Sequence, residues 1–323
     1  MTQIDVNIPK CGNEPRSMLK PPTRIVRLLS AAAVTALVLS AYLLLARPSQ
    51  LRWGATDAEV ARAMPGDELS DHPTFLSTRA ITINAAPEVI WPWLVQLGYG
   101  RAGFYGYDVL ENLGSPRGMH SAQRILPELQ RPAIGDPLPL SAAGGLIFNA
   151  IRPNESLVWS GASGSYPGAF TWALYPVNST QTRLVSRIQW SHHWTQPLVL
   201  VMDLFTEFTD HLAVRKILHG VKDRAEGRVE SFAWQTFEFA VLVWALFAFF
   251  AAIWVVLRGP LDWPRWLTAL GAGVAWLIVW YAPISILFGT VVNVLVCGVL
   301  IANRRGSAAR HAPMSPSFAR HST

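Results

Sequence analysis

Three long stretches without a charged side chain limit what this chain can fold into: residues 28–46, 239–257 and 266–302. Runs of this length can cross a hydrocarbon layer of about 30 Å, and a backbone in lipid must satisfy its own hydrogen bonds as a helix. The third run holds 37 residues, which as a single helix would be about 55 Å long. It reads better as two segments that turn near Tyr281 and Pro283. The first of these carries Gly271 and Gly273, small residues that let helices approach closely. Trp263, Trp266, Trp280 and Tyr281 fall where an interfacial aromatic belt sits. The expectation is four transmembrane α-helices, over residues 25–46, 237–257, 265–281 and 284–302, with three as the alternative.

The first run has a longer apolar core than a secretory leader and no small-residue cleavage site after it, so it reads as a retained anchor. Charge sets the expected orientation. Residues 47–236 hold 16 Lys and Arg against 17 Asp and Glu, while the rest of the chain holds 11 against 4. The basic excess lies before the first span (Lys10, Arg16, Lys20, Arg24, Arg27), after the second (Arg258, Arg265) and in the tail (Arg304, Arg305, Arg310, Arg320). The positive-inside rule puts these three places in the cytoplasm. Four spans bring them there together and leave residues 47–236 outside a cytoplasmic (inner) membrane. Residues 1–24 then form a basic cytoplasmic arm, and residues 303–323 a basic tail whose Ser, Pro and Arg content reads as disordered. The net charge of +6 thus belongs to the membrane flanks, and a nucleic-acid partner, which would need a basic patch on the folded domain, is not expected. Cys11 lies in the arm and Cys297 within a span, so no disulfide is expected.

Inside residues 47–236, Arg79 to Asn84 alternate with period two, as a half-buried strand does. Asn84 to Pro87 supply a polar turn and a proline suited to a first helical turn. A helix follows, with Val89, Ile90, Trp93, Leu94 and Leu97 at the three-and-four spacing of one apolar face. It stops at Gly98 and enters a loop of glycines and aromatics. Gly98, Gly100 and Gly103 match the dinucleotide fingerprint letter for letter, but here they follow a helix instead of leading into one. The reading is therefore a sharp turn without a nucleotide. Four strands are expected over residues 145–151, 155–160, 169–175 and 182–191, the last two as a hairpin around Asn178 to Thr180. A long helical region from Pro197 to about Glu230 ends the domain. Its apolar stripes run through Leu198, Val201, Phe205, Phe208 and Leu212, then Val214, Ile217, Leu218, Val221 and Ala225, with Asp203, Glu207 and Asp210 on the wet side.

The stretch from Ala86 to Gln96 (APEVIWPWLVQ), the loop from Gly98 to Asn112 and the segments at 119–129 and 134–140 resemble membrane-associated bacterial members of the SRPBCC (START/Bet v1-like) superfamily. The likeness covers roughly residues 50–228. It implies an α+β helix-grip fold, in which an antiparallel sheet grips a long C-terminal helix around an apolar cavity. It further implies a membrane-tethered protein that binds or transports a hydrophobic small molecule, a lipid or isoprenoid. The alternatives are a cyclase or dehydratase-type enzyme and a non-catalytic membrane assembly module. Such a cavity would be lined by Trp93, Phe104, Tyr105, Tyr107, Asp108, Glu111, His120, Trp172 and Trp190, all candidate ligand-binding residues.

Asp108 and Glu111 lie three apart and could share a proton, or cap helices and pair with Arg101 or Arg124. His120 reads as a buried histidine or a general base. His192 and His193 are adjacent on a strand and point to opposite faces, and His211 and His219 are eight apart. No metal site and no cofactor are expected. No catalytic residue can be assigned, since the nucleophile elbow, the zinc-protease motif and the phosphate loop are all missing.

Overall fold

The computed structural model describes residues 23–112, 118, 120–142, 144–161, 168–191, 197–228, 230–258, 263–282 and 285–310, with side chains described from residue 24 on except in 197–204 and 304–310. The fold is α+β. Six strands, β1 Phe75–Ile83, β2 Pro137–Ser141, β3 Gly144–Arg152, β4 Ser156–Ser160, β5 Gly168–Asn178 and β6 Gln181–Trp190, form one antiparallel sheet in the order β1-β6-β5-β4-β3-β2. β5 and β6 meet at a turn where Asn178 Oδ1 accepts from the Thr180 N–H at 2.9 Å. β2 went unread in the sequence; its Pro137 and Pro139 lack a ladder N–H, which an edge strand tolerates.

Period-two alternation gives the sheet two faces. Ile83, Leu184, Leu174, Trp172, Leu157, Trp159 and Phe148 point inward and share one buried cluster with Val214, Ile217, Leu218 and Val221 of helix α6 (Pro197–Ala225). That long helix and α4 (Pro87–Val95) cover the inner face, as in a helix-grip arrangement. α4 buries Ile90, Leu94 and Val95, whereas Val89, expected on its apolar face, is 49% exposed. Proline at its first position suits a helix start, and Pro92 is accommodated within the short helix.

The outer face is covered by residues 52–70. Here the short helix α3 (Asp57–Ala61) opens on a capping box between Thr56 and Glu59. Gly54 takes φ +71, and a Cβ there would sit 2.1 Å from the Ala80 carbonyl oxygen, so the segment lies flush on β1 because that residue has no side chain. Arg187 of β6 fastens it: its guanidinium donates to Thr78 Oγ1, Asp67 Oδ2 and the carbonyls of Glu59, Val60 and Arg62 at 2.7–3.1 Å. Arg183, four residues earlier on the same face, does the same, with two bonds to Glu59 and one each to Thr82 and the Gly54 carbonyl.

On α6, Glu207 and Asp210 are not on a wet side, while the Asp203 side chain lies outside the described ones. Glu207 is buried and takes a bidentate pair of 2.7 Å bonds from Arg47. Asp210 is buried against Arg79 at 2.7 Å. Phe205, expected inside, is 59% exposed. α6 has partners on two sides, so that Glu207 and Asp210 are enclosed as well as the stripe of Val214, Ile217, Leu218 and Val221.

Helix α1 (Thr23–Ala41) continues through a π-helical turn, Tyr42–Ala46, into α2 (Arg47–Leu51), so the first apolar helix runs past the expected boundary at 46 and delivers Arg47 to Glu207. It packs with α7 (Phe232–Arg258) and α8 (Trp263–Tyr281), and α9 (Ile286–Arg310) packs on those two. Gly273 lies so close to Val38 that a Cβ would meet its side chain at 2.5 Å, while Gly271 faces open space. Among the described residues three helices, residues 24–51, 232–258 and 286–303, are long and apolar enough to cross a membrane, against the expectation of four. α8 is not among them: tryptophans, glycines and Arg265 dilute its 19 residues, and it buries Ala269, Ala272 and Val279 among its neighbours. α9 stays helical to Arg310, beyond the residue where disorder was expected to begin. The turn at Pro283 and residues 311–323 fall outside the described residues.

Candidate functional site

The nine candidate residues fall into three places. The first is the glycine–aromatic loop. Gly98, Gly100 and Gly103 all take positive φ, and Gly98 and Gly103 close on each other by paired backbone bonds of 3.1 Å. The fingerprint is thus a tight turn that follows a helix and leads through an irregular stretch to Asp108. Tyr105 is fully buried; it receives a 2.7 Å bond from Gln96 Nε2, donates to the Trp93 carbonyl, and meets the Trp93 ring edge-on at 6.0 Å. Helix α6 fixes this residue from the other side. Gly220 comes so near that a Cβ would sit 2.2 Å from the Tyr105 carbonyl oxygen, and the Arg224 guanidinium lies 4.0 Å from the Tyr105 ring centre. Phe104 is half-buried against the same cluster.

Asp108 opens the short helix α5 (Asp108–Glu111) and accepts from the Ser121 hydroxyl at 2.6 Å. Glu111 accepts the backbone N–H groups of Phe104 and Gly106 at 3.2 and 3.1 Å. Neither carboxylate pairs with Arg101 or Arg124: the Arg101 guanidinium instead donates to the carbonyls of Leu97 and Val95. Burial, with the Asp108 charge adding to it, pushes the Glu111 carboxyl up to about 7 against the pull of those N–H donors. The His120 side chain is 56% exposed, 3.5 Å from Asp108 and packed on Phe232, so it is not the buried histidine expected. This constellation mainly shapes the loop.

The second place is the inner face of the sheet. Trp172 and Trp190 lie there, fully buried, Trp172 edge-on to Trp159 at 5.6 Å and Trp190 stacked on Phe75 at 3.9 Å. Across β1, β6 and β5, Arg79 stands opposite Ser186 and Ser186 opposite Trp172, with Ser77 two residues from Arg79 on the same face. Arg79 is wholly buried; it donates to the Gln50 carbonyl at 3.0 Å and to Asp210 at 2.7 Å. Burial raises the Asp210 carboxyl and the Arg79 charge opposes that rise. Among the described residues, Arg79 Nη2, Ser77 Oγ, Ser186 Oγ, Trp159 Nε1 and Trp172 Nε1 are buried without a hydrogen-bond partner. Guanidinium and indole nitrogens can donate alone, and hydroxyls can donate. This set asks for acceptors.

The sequence signal for this cluster was present but unused. Arg79 occupies the same period-two positions as Ile81 and Ile83, so an arginine was bound to face the core.

The third place is a cavity of about 340 Å³ where α6, α7, α8 and α9 meet, lined in part by Tyr107, Arg215, Lys216, Glu230, Glu238 and Trp280. Tyr107 packs on Phe239 of α7 at 5.5 Å, away from the other loop residues. Burial pushes its phenol above the ordinary range. His211 and His219 also line this cavity, and burial pushes both imidazoles down, His211 to about 3. His192 and His193 lie outside the described residues. Among the described residues no group of three or more His, Cys, Asp or Glu could hold a metal ion.

No family model and no curated protein matches the chain. Solved structures similar to it include a conserved protein of unknown function, EF2215, from Enterococcus faecalis (15% identity, TM-score 0.24, 51% of this chain and 82% of that one). Two others are the polyketide-cyclase-like protein Cgl2372 from Corynebacterium glutamicum (12%, 0.27, 47% and 91%) and the self-sacrificing resistance protein CalC from Micromonospora echinospora (11%, 0.26, 48% and 97%).

Proposed function

We propose that the chain is a membrane-anchored binder or carrier of an amphipathic small molecule, a lipid or isoprenoid. The molecule lies between the sheet and α6 with its hydrogen-bond-accepting end toward Arg79. One observation carries this reading: among the described residues, five polar atoms on the inner-face positions of β1, β4, β5 and β6 are buried without a partner, beside a largely apolar cluster. Each such atom costs about 1–3 kcal/mol unless something accepts its hydrogen. A carbonyl, carboxylate or phosphate oxygen would satisfy several at once, and the tryptophan faces beside it suit an apolar body.

The anchoring follows from the helices long and apolar enough to span. The positive-inside rule applied to the arm before the first of them, with Lys10, Arg16 and Lys20, keeps that arm in the cytoplasm and the domain after it at the outer face of a cytoplasmic membrane; with three crossings the basic tail no longer adds to this argument. Labelling of a cysteine placed at Asn178 from the outer side checks that orientation, and labelling from the cytoplasm alone overturns it.

The test of binding is mass spectrometry of gently extracted full-length protein, with released small molecules identified. A defined lipid at near-stoichiometric ratio, reduced about tenfold or more in the Ser77→Ala/Ser186→Ala variant, is the expected result. A protein that retains nothing and ignores added lipids would sink the reading. A second, enzymatic reading rests on Glu111, whose pKa near 7 suits proton transfer. It requires Glu111→Gln to abolish turnover of the bound molecule while leaving its binding intact.

A further inference from the structure

We infer that the cavity joining α6 to the ends of α7, α8 and α9 is a separate headgroup site for a zwitterionic phospholipid of the surrounding bilayer. Its position comes first. Glu230 lies two residues before α7, Glu238 in its second turn, Trp280 next to the last residue of α8, and Ser285 and Ile286 at the start of α9, which opens on Ile286. The cavity therefore sits at the ends of helices of spanning length, the level at which headgroups lie and interfacial tryptophans such as Trp234 are found.

Charge selects the headgroup. The Lys216 ammonium bridges Glu230 and Glu238, one cation between two carboxylates, which leaves one negative charge over. Arg215 has no carboxylate partner among the described residues. Its guanidinium donates to the Trp280 carbonyl at 3.3 Å and stacks over the Trp53 ring, 5.5 Å from its centre. The lining thus holds, within a single volume of about 340 Å³, one arginine without a direct ion pair among the described residues and one carboxylate more than Lys216 balances, with Glu238 attracting Arg215 across that space. A phosphodiester on Arg215 and an ammonium on the glutamates match both at once. An anionic headgroup would meet the surplus carboxylate, and a lone amine would meet the arginine. Leu212, Leu242, Val279 and Leu287 continue the wall as apolar surface, which suits a lipid and not a free headgroup.

The experiment uses the full chain in nanodiscs containing equal phosphatidylethanolamine and phosphatidylglycerol with the same acyl chains, read by native mass spectrometry. Retention of phosphatidylethanolamine at least about tenfold over phosphatidylglycerol is expected, since one charge-assisted contact is worth about 1.5–3 kcal/mol. Arg215→Gln should abolish that retention. Glu238→Gln removes the surplus carboxylate and should swing the preference toward phosphatidylglycerol, a result that unfolding cannot mimic. Soluble glycerophosphoethanolamine should not displace the lipid; displacement at millimolar concentration, equal retention of both lipids, or no retention would each overturn the inference. The Ser77→Ala/Ser186→Ala variant separates the two sites. If phosphatidylethanolamine falls in that variant and not in Arg215→Gln, the lipid occupies the sheet face, and this inference fails while the proposed function stands.

Discussion

The two faces of the sheet use the same strands and the same period-two alternation, yet they treat buried arginine in opposite ways. On the outer face Arg187 gives all five of its N–H groups to Thr78, Asp67 and three carbonyls, and Arg183 is nearly as fully engaged. On the inner face Arg79 keeps Nη2 unpartnered, beside Ser77, Ser186, Trp159 and Trp172, whose polar atoms are unpartnered too. A buried polar network that is fully satisfied serves rigidity, whereas each group left unsatisfied calls for an explanation of its own. The outer face closes on residues 52–70 of its own chain; the inner face is the one that leaves hydrogen bonds to be made.

The sharpest way to break this contrast is Arg187→Met. It strands the carbonyls of Glu59, Val60 and Arg62 together with Asp67, and should cost about 3–5 kcal/mol, read as a fall in melting temperature in detergent. A loss below about 1 kcal/mol would mean that the outer network is dispensable and the comparison empty.

The loop that joins the faces to α6 predicts a pH effect of nearly the same size. The Glu111 carboxyl stands at about 7 against 4.5 for the free group. A pKa raised on folding gives stability that is fully present below the unfolded value and lost as pH rises through the folded one. Stability from this group should therefore decline between about pH 4.5 and 8, by roughly 2–4 kcal/mol. Glu111→Gln, uncharged throughout, should flatten that decline, and an unchanged pH profile in the variant would assign the effect elsewhere.

Gly220→Ala comes next. It drives a methyl group into the Tyr105 carbonyl and should cost about 1–3 kcal/mol, with the Tyr105 environment, followed by near-ultraviolet dichroism, changed most.

The smallest expected effect on stability is the most telling. Ser77→Ala with Ser186→Ala removes two hydroxyls that have no partner, so the protein without ligand should change by less than about 1 kcal/mol, or gain slightly, while ligand retention drops. A large destabilisation would place those hydroxyls in the structural network and erase the difference between the two faces.

Several features were legible from sequence because they depend on local patterning. The alternation from Arg79 to Asn84, the helix after Pro87, the β5–β6 hairpin and the long α6 all appear where they were expected. So do three of the four apolar spans. What failed were assignments that depend on neighbours. Val89 has the right spacing but faces outward because α4 is only two and a half turns long and rests on one side. Glu207 and Asp210 looked solvated because nothing in the order of residues says that Arg47 and Arg79 come to meet them. α8 resembled a span by lacking charge, but its tryptophans and glycines make it less apolar than the helices around it.

By itself the sequence determined where the chain would be helix, strand or membrane-length apolar run, since periodicity and charge exclusion act over a few residues. It also placed Arg79 on the inward face of its strand. The tertiary structure alone decided that Arg187 would be saturated and Arg79 left with a free N–H. Partners for these two buried charges come from segments 29 to 131 positions away, and strand register, helix placement and the covering of each face bring them into hydrogen-bonding range.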